Sequence, residues 1–86
     1  MRPEQVPTRL VTPAEIMNRP RFALGVADVR AGRHHHADYD LWDGQAQWDY
    51  ERGRAWAITA PRHVPLKLNG RLNPAALACW RDDDMI

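Results

Sequence analysis

Gly44-Gln45-Ala46-Gln47-Trp48-Asp49-Tyr50-Glu51-Arg52-Gly53-Arg54-Ala55-Trp56-Ala57-Ile58-Thr59-Ala60 is the most periodic stretch of the chain. Ala46, Tyr50, Gly53, Ala57 and Ala60 recur at spacings of four, three, four and three, the repeat of one helix face. All of them except Tyr50 are alanine or glycine, and small side chains let another backbone come close. The stretch therefore predicts a long helix over 44–60, packed against a second helix, with Trp48, Ala55, Trp56 and Thr59 widening the apolar surface on an adjoining face.

The partner lies upstream. Phe22, Gly25, Val26 and Val29 share one helical face, Pro20 suits a first helical position and Gly32 a stop, so a helix is expected over 20–31. Before it, Thr12-Pro13-Ala14-Glu15 combines a capping threonine, a proline at the first position and a glutamate three residues after the cap. That predicts a short helix over 13–18, ended by the restriction that Pro20 places on residue 19. Asn73-Pro74 opens a last helix over 73–81. Residues 33–43 read as a long loop anchored by Tyr39, Leu41 and Trp42, a length expected only where a loop is functional or tied down. Residues 61–71 are extended, basic and broken by Pro61 and Pro65, with room for an edge strand at most. There Val64, Leu66 and Leu68 are expected to dock while His63, Pro65 and Lys67 face outward.

The expected architecture is all-α: an antiparallel helix-loop-helix core, extra short helices at both ends and the extended basic segment. One domain spans 1–86, with an extended arm over 1–11, a helical core over 12–82 and a tail over 83–86. The expected core comprises Phe22, Val26, Val29, Tyr39, Trp48, Tyr50, Ala57, Leu77 and Trp80.

A chain of 86 residues has no room for a second core or a large cofactor-binding fold. Apolar residues at 44% and charged residues at 27% are globular values, which argues against a disordered chain. The lone Cys79 cannot form an internal disulfide, and with neither a signal peptide nor a membrane span in the sequence a cytoplasmic location is expected. There is no serine, no phosphate-binding glycine loop and no activated thiol, since Cys79 sits among Ala76, Leu77 and Trp80. The chain thus reads as no enzyme and as needing no cofactor. His34-His35-His36 with Asp38, Asp40, His63 or Cys79 raises the question of a metal, but no spacing matches a zinc signature and none is expected.

The net charge of +1 conceals segregation: residues 37–51 carry five carboxylates and residues 52–71 five basic side chains. Of the twelve basic residues only Lys67 is lysine, and arginine forks suit phosphate or carboxylate. Arg52 and Arg54 with Trp56, then Arg62, His63, Lys67 and Arg71, form a basic and aromatic constellation able to hold an RNA backbone and stack a base. Tyr39 and Trp42 are the further candidate contacts.

Gly25, Gly32 and Arg33, then Tyr39, then Gln47-Trp48 nine residues beyond it, then Gly53-Arg54, follow a recognisable order. Through them the stretch from about Phe22 to Ala57 resembles the ribosome modulation factor family and its small phage- and plasmid-borne relatives. The family's Cys-Pro before the tyrosine is Ala37-Asp38 here, and its Gly-Trp after the first tryptophan is Glu51-Arg52. The resemblance implies a helix-loop-helix core that associates with ribosomal RNA or the ribosome. Two functions are therefore expected: a non-enzymatic, ribosome- or RNA-associated regulator, or a protein-binding adaptor or inhibitor of phage type acting through its aromatic loop and charged faces.

Overall fold

A computed structural model describes residues 11–81. Nearly all of the expected arm, and the tail at 83–86, lie outside the described residues. Helix α1 (Pro13–Met17) carries the expected capping box, with Thr12 and Glu15 satisfying each other's backbone N–H groups. Helix α2 (Pro20–Arg30) begins on its proline and ends in a Schellman turn. Gly32 takes φ +73°, and the N–H groups of Gly32 and Arg33 return to the carbonyls of Val29 and Asp28. Helix α3 (Gly44–Thr59) is capped by Asp43, whose carboxylate accepts from Ala46 N–H, and α4 (Pro74–Ala78) by Asn73.

The molecule is mostly helical but not purely α. Strands β1 (Lys67–Leu68) and β2 (Arg71–Leu72) pair antiparallel across Asn69-Gly70, with Lys67 opposite Leu72 and Leu68 opposite Arg71. Both turn residues have positive φ, 52° and 78°, as a two-residue type I′ hairpin requires. Val64 and Leu66 dock and His63 and Pro65 face outward as expected, but at the hairpin the facing is exchanged. Leu68 is exposed, whereas Lys67 is half-buried and its ammonium donates to Asn18 Oδ1 at 3.2 Å.

Helices α2 and α3 meet backbone to backbone. A β-carbon on Gly25 would overlap the Tyr50 carbonyl, and one on Gly53 would overlap the Phe22 carbonyl, so only glycine permits the crossing. The order of contacts corrects the antiparallel expectation. Arg19, before α2, bonds Asp49 in the first half of α3. Arg30, at the end of α2, lies 5.0 Å over the Trp56 ring and donates to the carbonyls of Pro61 and Val64 beyond α3. An antiparallel pair would place Arg30 opposite the start of α3. The connection over 31–43 is long enough to carry the chain back before α3 begins, so the helices cross with like ends matched.

The core lies on one side of this crossing. Ile16, Met17, Phe22, Val26, Trp56, Ala57, Ala60, Leu66 and Ala76 are buried together, with Val29, Cys79 and Trp80 packed against them. Trp80 stacks on Phe22 with centroids 6.3 Å apart. Trp56 is fully buried, and its indole N–H donates to the Ala76 carbonyl at 3.1 Å, giving the buried ring a polar partner. Three expected core residues are outside it: Trp48 is 55% exposed, Leu77 37%, and Tyr39 is half-buried against Tyr50 in the loop. The elements that cover Trp56, α1 and α4, do not cover the first turns of α3, where Trp48 sits.

Gly53→Ala is expected to destabilise by about 1–3 kcal/mol through overpacking against the Phe22 backbone. Gly44→Ala, which meets open space, should stay within about 0.5 kcal/mol of the parent in the same urea titration. Equal midpoints for the two variants would remove the close crossing.

Candidate nucleic-acid interface

The end of α2 gathers positive charge. Carbonyls at a helix C-terminus lack intrahelical partners and carry the negative end of the macrodipole, so guanidinium groups collect there. Arg62 donates to the Arg30 carbonyl at 3.1 Å, and Arg54 to the Arg33 carbonyl at 3.3 Å. Arg33 pairs with Asp28 through Nε at 2.9 Å. Arg30, Arg33, Arg54 and Arg62 thus surround one helix end, with Asp28 as the carboxylate bonded among them. Arg33 and Arg62 are exposed.

Asp28 also anchors the loop that follows. Its carboxylate accepts the Tyr50 hydroxyl proton across the crossing, and the Tyr50 oxygen accepts from His36 N–H at 2.9 Å. Burial alone would push the Asp28 carboxyl up, but the bonds from Tyr50 and Arg33 and the nearby positive charge hold it below the ordinary carboxylate value. Tyr50 moves the other way, raised by burial and by its bond to Asp28. Around the Tyr50 ring stand Tyr39, Trp42 and His35, with centroids 5.7, 5.2 and 5.8 Å away. The Arg21 guanidinium covers Trp42 at 4.1 Å, and Gln47 donates to the Tyr39 carbonyl at 2.9 Å. The loop over 33–43, which includes a single 3-10 turn at Tyr39–Leu41, is therefore tied down by its aromatics.

The three histidines go separate ways. His35 Nε2 meets Glu51 Oε2 at 2.8 Å, His36 Nδ1 accepts from Asp38 N–H at 3.0 Å, and His34 is exposed. No three His, Cys, Asp or Glu side chains converge to hold a metal among the described residues.

Tyr39, Trp48, Glu51 and Arg52 line a pocket of about 260 Å³ next to this loop. Arg52 lies 5.2 Å over the Trp48 ring, and burial together with a bond to Glu51 raises the Tyr39 hydroxyl. A wider, more open cleft of about 640 Å³ runs beside the start of α3, where Arg19 and Arg21 face Asp43 and Asp49 in balanced charge.

The basic constellation read along the chain is divided in space. Arg54 and Arg62 join Arg30 and Arg33, two residues that the sequence reading did not assign to the site. Arg52 falls on the opposite flank of α3, because two residues along a helix turn through about 200°. It bonds the buried Asp49, which also accepts from Arg19 at 3.1 Å and Gln45 at 2.9 Å. Trp56, placed beside the arginines in that reading, is in the core. Lys67 and Arg71 point to opposite faces of the hairpin, because each pairs with the other strand's leucine. Along α3 the i,i+3 pair Asp49–Arg52 forms at 3.4 Å, whereas Glu51 turns to His35 and Arg54 to the Arg33 carbonyl. Among the described residues no helix is long and apolar enough to cross a membrane.

Compared with known protein families, characterised proteins and solved structures, the chain matches none.

The Asp28 carboxyl sits lower folded than unfolded, so its contribution to stability is present above about pH 4 and is lost as pH falls through the folded value. Asp28→Asn is expected to be about 1–3 kcal/mol less stable at neutral pH. Its deficit should narrow as pH drops below about 4, followed by denaturant unfolding across that range. A constant deficit would mean that the charge on Asp28 does not matter.

Proposed function

We propose that this protein is a small non-enzymatic regulator that associates with RNA, with ribosomal RNA as the class of target. The observation that carries this reading is the end of α2, where four guanidinium groups gather, that of Arg33 on the Asp28 carboxylate and those of Arg30, Arg54 and Arg62 on neutral backbone carbonyls. Such a group attracts phosphodiester oxygens, and planar arginine forks match them better than lysine would. The residues behind the resemblance to the ribosome modulation factor family support it further. Gly25 and Gly53 make the helix crossing, Gly32 turns the chain at the end of α2, and Arg33 and Arg54 meet in the cluster. The aromatic loop, the feature on which an adaptor reading rests, is packed on Tyr50; Leu41, Trp48 and Ile58 are the large apolar side chains that such a reading would use.

The test is fluorescence anisotropy with labelled ribosomal RNA fragments across about 50–200 mM salt, where phosphate binding weakens steeply through counterion release. Arg54→Glu with Arg62→Glu is expected to lower affinity more than tenfold, a loss of about 1.4 kcal/mol or more. Lys67→Glu with Arg71→Glu should change it little, with circular dichroism verifying both folds. Binding that survives the first pair, or a protein partner retained from the host after nuclease treatment with no RNA bound, would replace this reading with the adaptor.

A further inference from the structure

We propose that the pocket formed by Tyr39, Trp48, Glu51 and Arg52 binds one unstacked guanine base. The proposal rests on the RNA-associated reading for its biological setting, but the pocket's own chemistry selects the ligand. Trp48 is 55% exposed, unusual for the largest apolar side chain, and lines the pocket with the Arg52 guanidinium 5.2 Å over its ring. The volume of about 260 Å³ falls just below the range of about 300–1,000 Å³ that drug-sized ligands fill, so it suits a single ring system.

The two charged walls narrow the class. Glu51 disfavours a phosphate or carboxylate, and Arg52 disfavours a cation. A neutral, flat group with donors on one edge and an acceptor beside them satisfies both. Guanine has that edge: N1–H and N2–H₂ are adjacent donors that a carboxylate accepts in pairs, and O6 is an acceptor for a guanidinium. Adenine and uracil lack the adjacent pair of donors.

Glu51 is held for this role. His35 Nε2 contacts its Oε2 at 2.8 Å, while a carboxylate has about four acceptor positions, so others remain for a base. The loop over 33–43 links the pocket to the arginine cluster. The loop runs from Arg33 in the cluster through His35 on Glu51 to Tyr39 in the pocket wall, and Glu51 and Arg54 are one turn apart on α3. A strand whose phosphates lie on the cluster can therefore turn one base into the pocket.

The test uses guanosine and adenosine, which carry no phosphate, titrated separately into isotope-labelled protein and followed by the Trp48 indole N–H resonance, assigned with Trp48→Phe. Guanosine is expected to shift that resonance with an affinity at least about fivefold above that of adenosine, and Glu51→Gln to erase the difference. In parallel, a short oligouridine with and without one central guanosine is titrated by anisotropy. Equal response to the two nucleosides, or none, overturns the guanine pocket; if the oligomers still bind, the RNA reading stands. A guanosine-specific shift without any oligomer binding upholds the pocket and removes the RNA reading.

Discussion

Two glycines hold the rest of this molecule in place. Gly25 and Gly53 bring the backbones of α2 and α3 together with no side chain between them. At that separation Tyr50 reaches past α2 to Asp28, and Phe22 comes against Trp56 with centroids 6.3 Å apart. A larger residue at either glycine would push apart both the polar side of the crossing and its apolar side. The tight approach explains how a chain of 86 residues secures a core around Phe22 and Trp56, two side chains whose full burial contributes about 1.5–3 kcal/mol each.

Either side of that crossing serves a different end. On the apolar side, α1, α4 and the hairpin close over Trp56, and Asn73 bonds the Pro65 carbonyl at 2.8 Å to hold the last segment in place. On the polar side, Asp28 gathers Tyr50 and Arg33 and so fixes the start of the loop over 33–43. Arginines divide between the two tasks. Arg19 and Arg52 neutralise the buried Asp49, and Arg30 fastens the chain beyond α3 through two carbonyls. Arg33 and Arg62 keep exposed charge at the helix end. A near-neutral chain can in this way present a locally positive surface, because Asp43 and Asp49 lie instead beside Arg19 and Arg21 at the start of α3.

Parts of the candidate site are legible along the chain and parts are not. Arg54 and Arg62 stand out as basic residues near each other in sequence, yet their partners, Arg30 and Arg33, come from the end of α2 and the turn after it, more than twenty residues before Arg54. Only the crossing joins them. Trp48 and Trp56 look alike in the sequence, both on the flank of a small-residue stripe, but only one flank is covered by α1 and α4. The Asn69-Gly70 turn is the opposite case: flanked by Leu68 and by Arg71-Leu72, it is a strong local hairpin signal, and at the hairpin it leaves Leu68 exposed and Lys67 half-buried.

Local chemistry determined the helices. Thr12 with Glu15, Pro20, Gly32, Asp43, Pro61 and Asn73-Pro74 set their starts and stops through caps, fixed φ and missing donors, interactions that span no more than a few residues. The repeat of Ala46, Tyr50, Gly53 and Ala57 likewise determined that α3 would meet another backbone closely. The direction of that meeting was decided only in three dimensions, because a long connection permits either sense; in the folded chain Arg30 meets the carbonyls of Pro61 and Val64 beyond α3. Which tryptophan is buried, which arginines share a surface and where Glu51 is aimed all follow from that choice, since each depends on contacts between residues far apart in the chain.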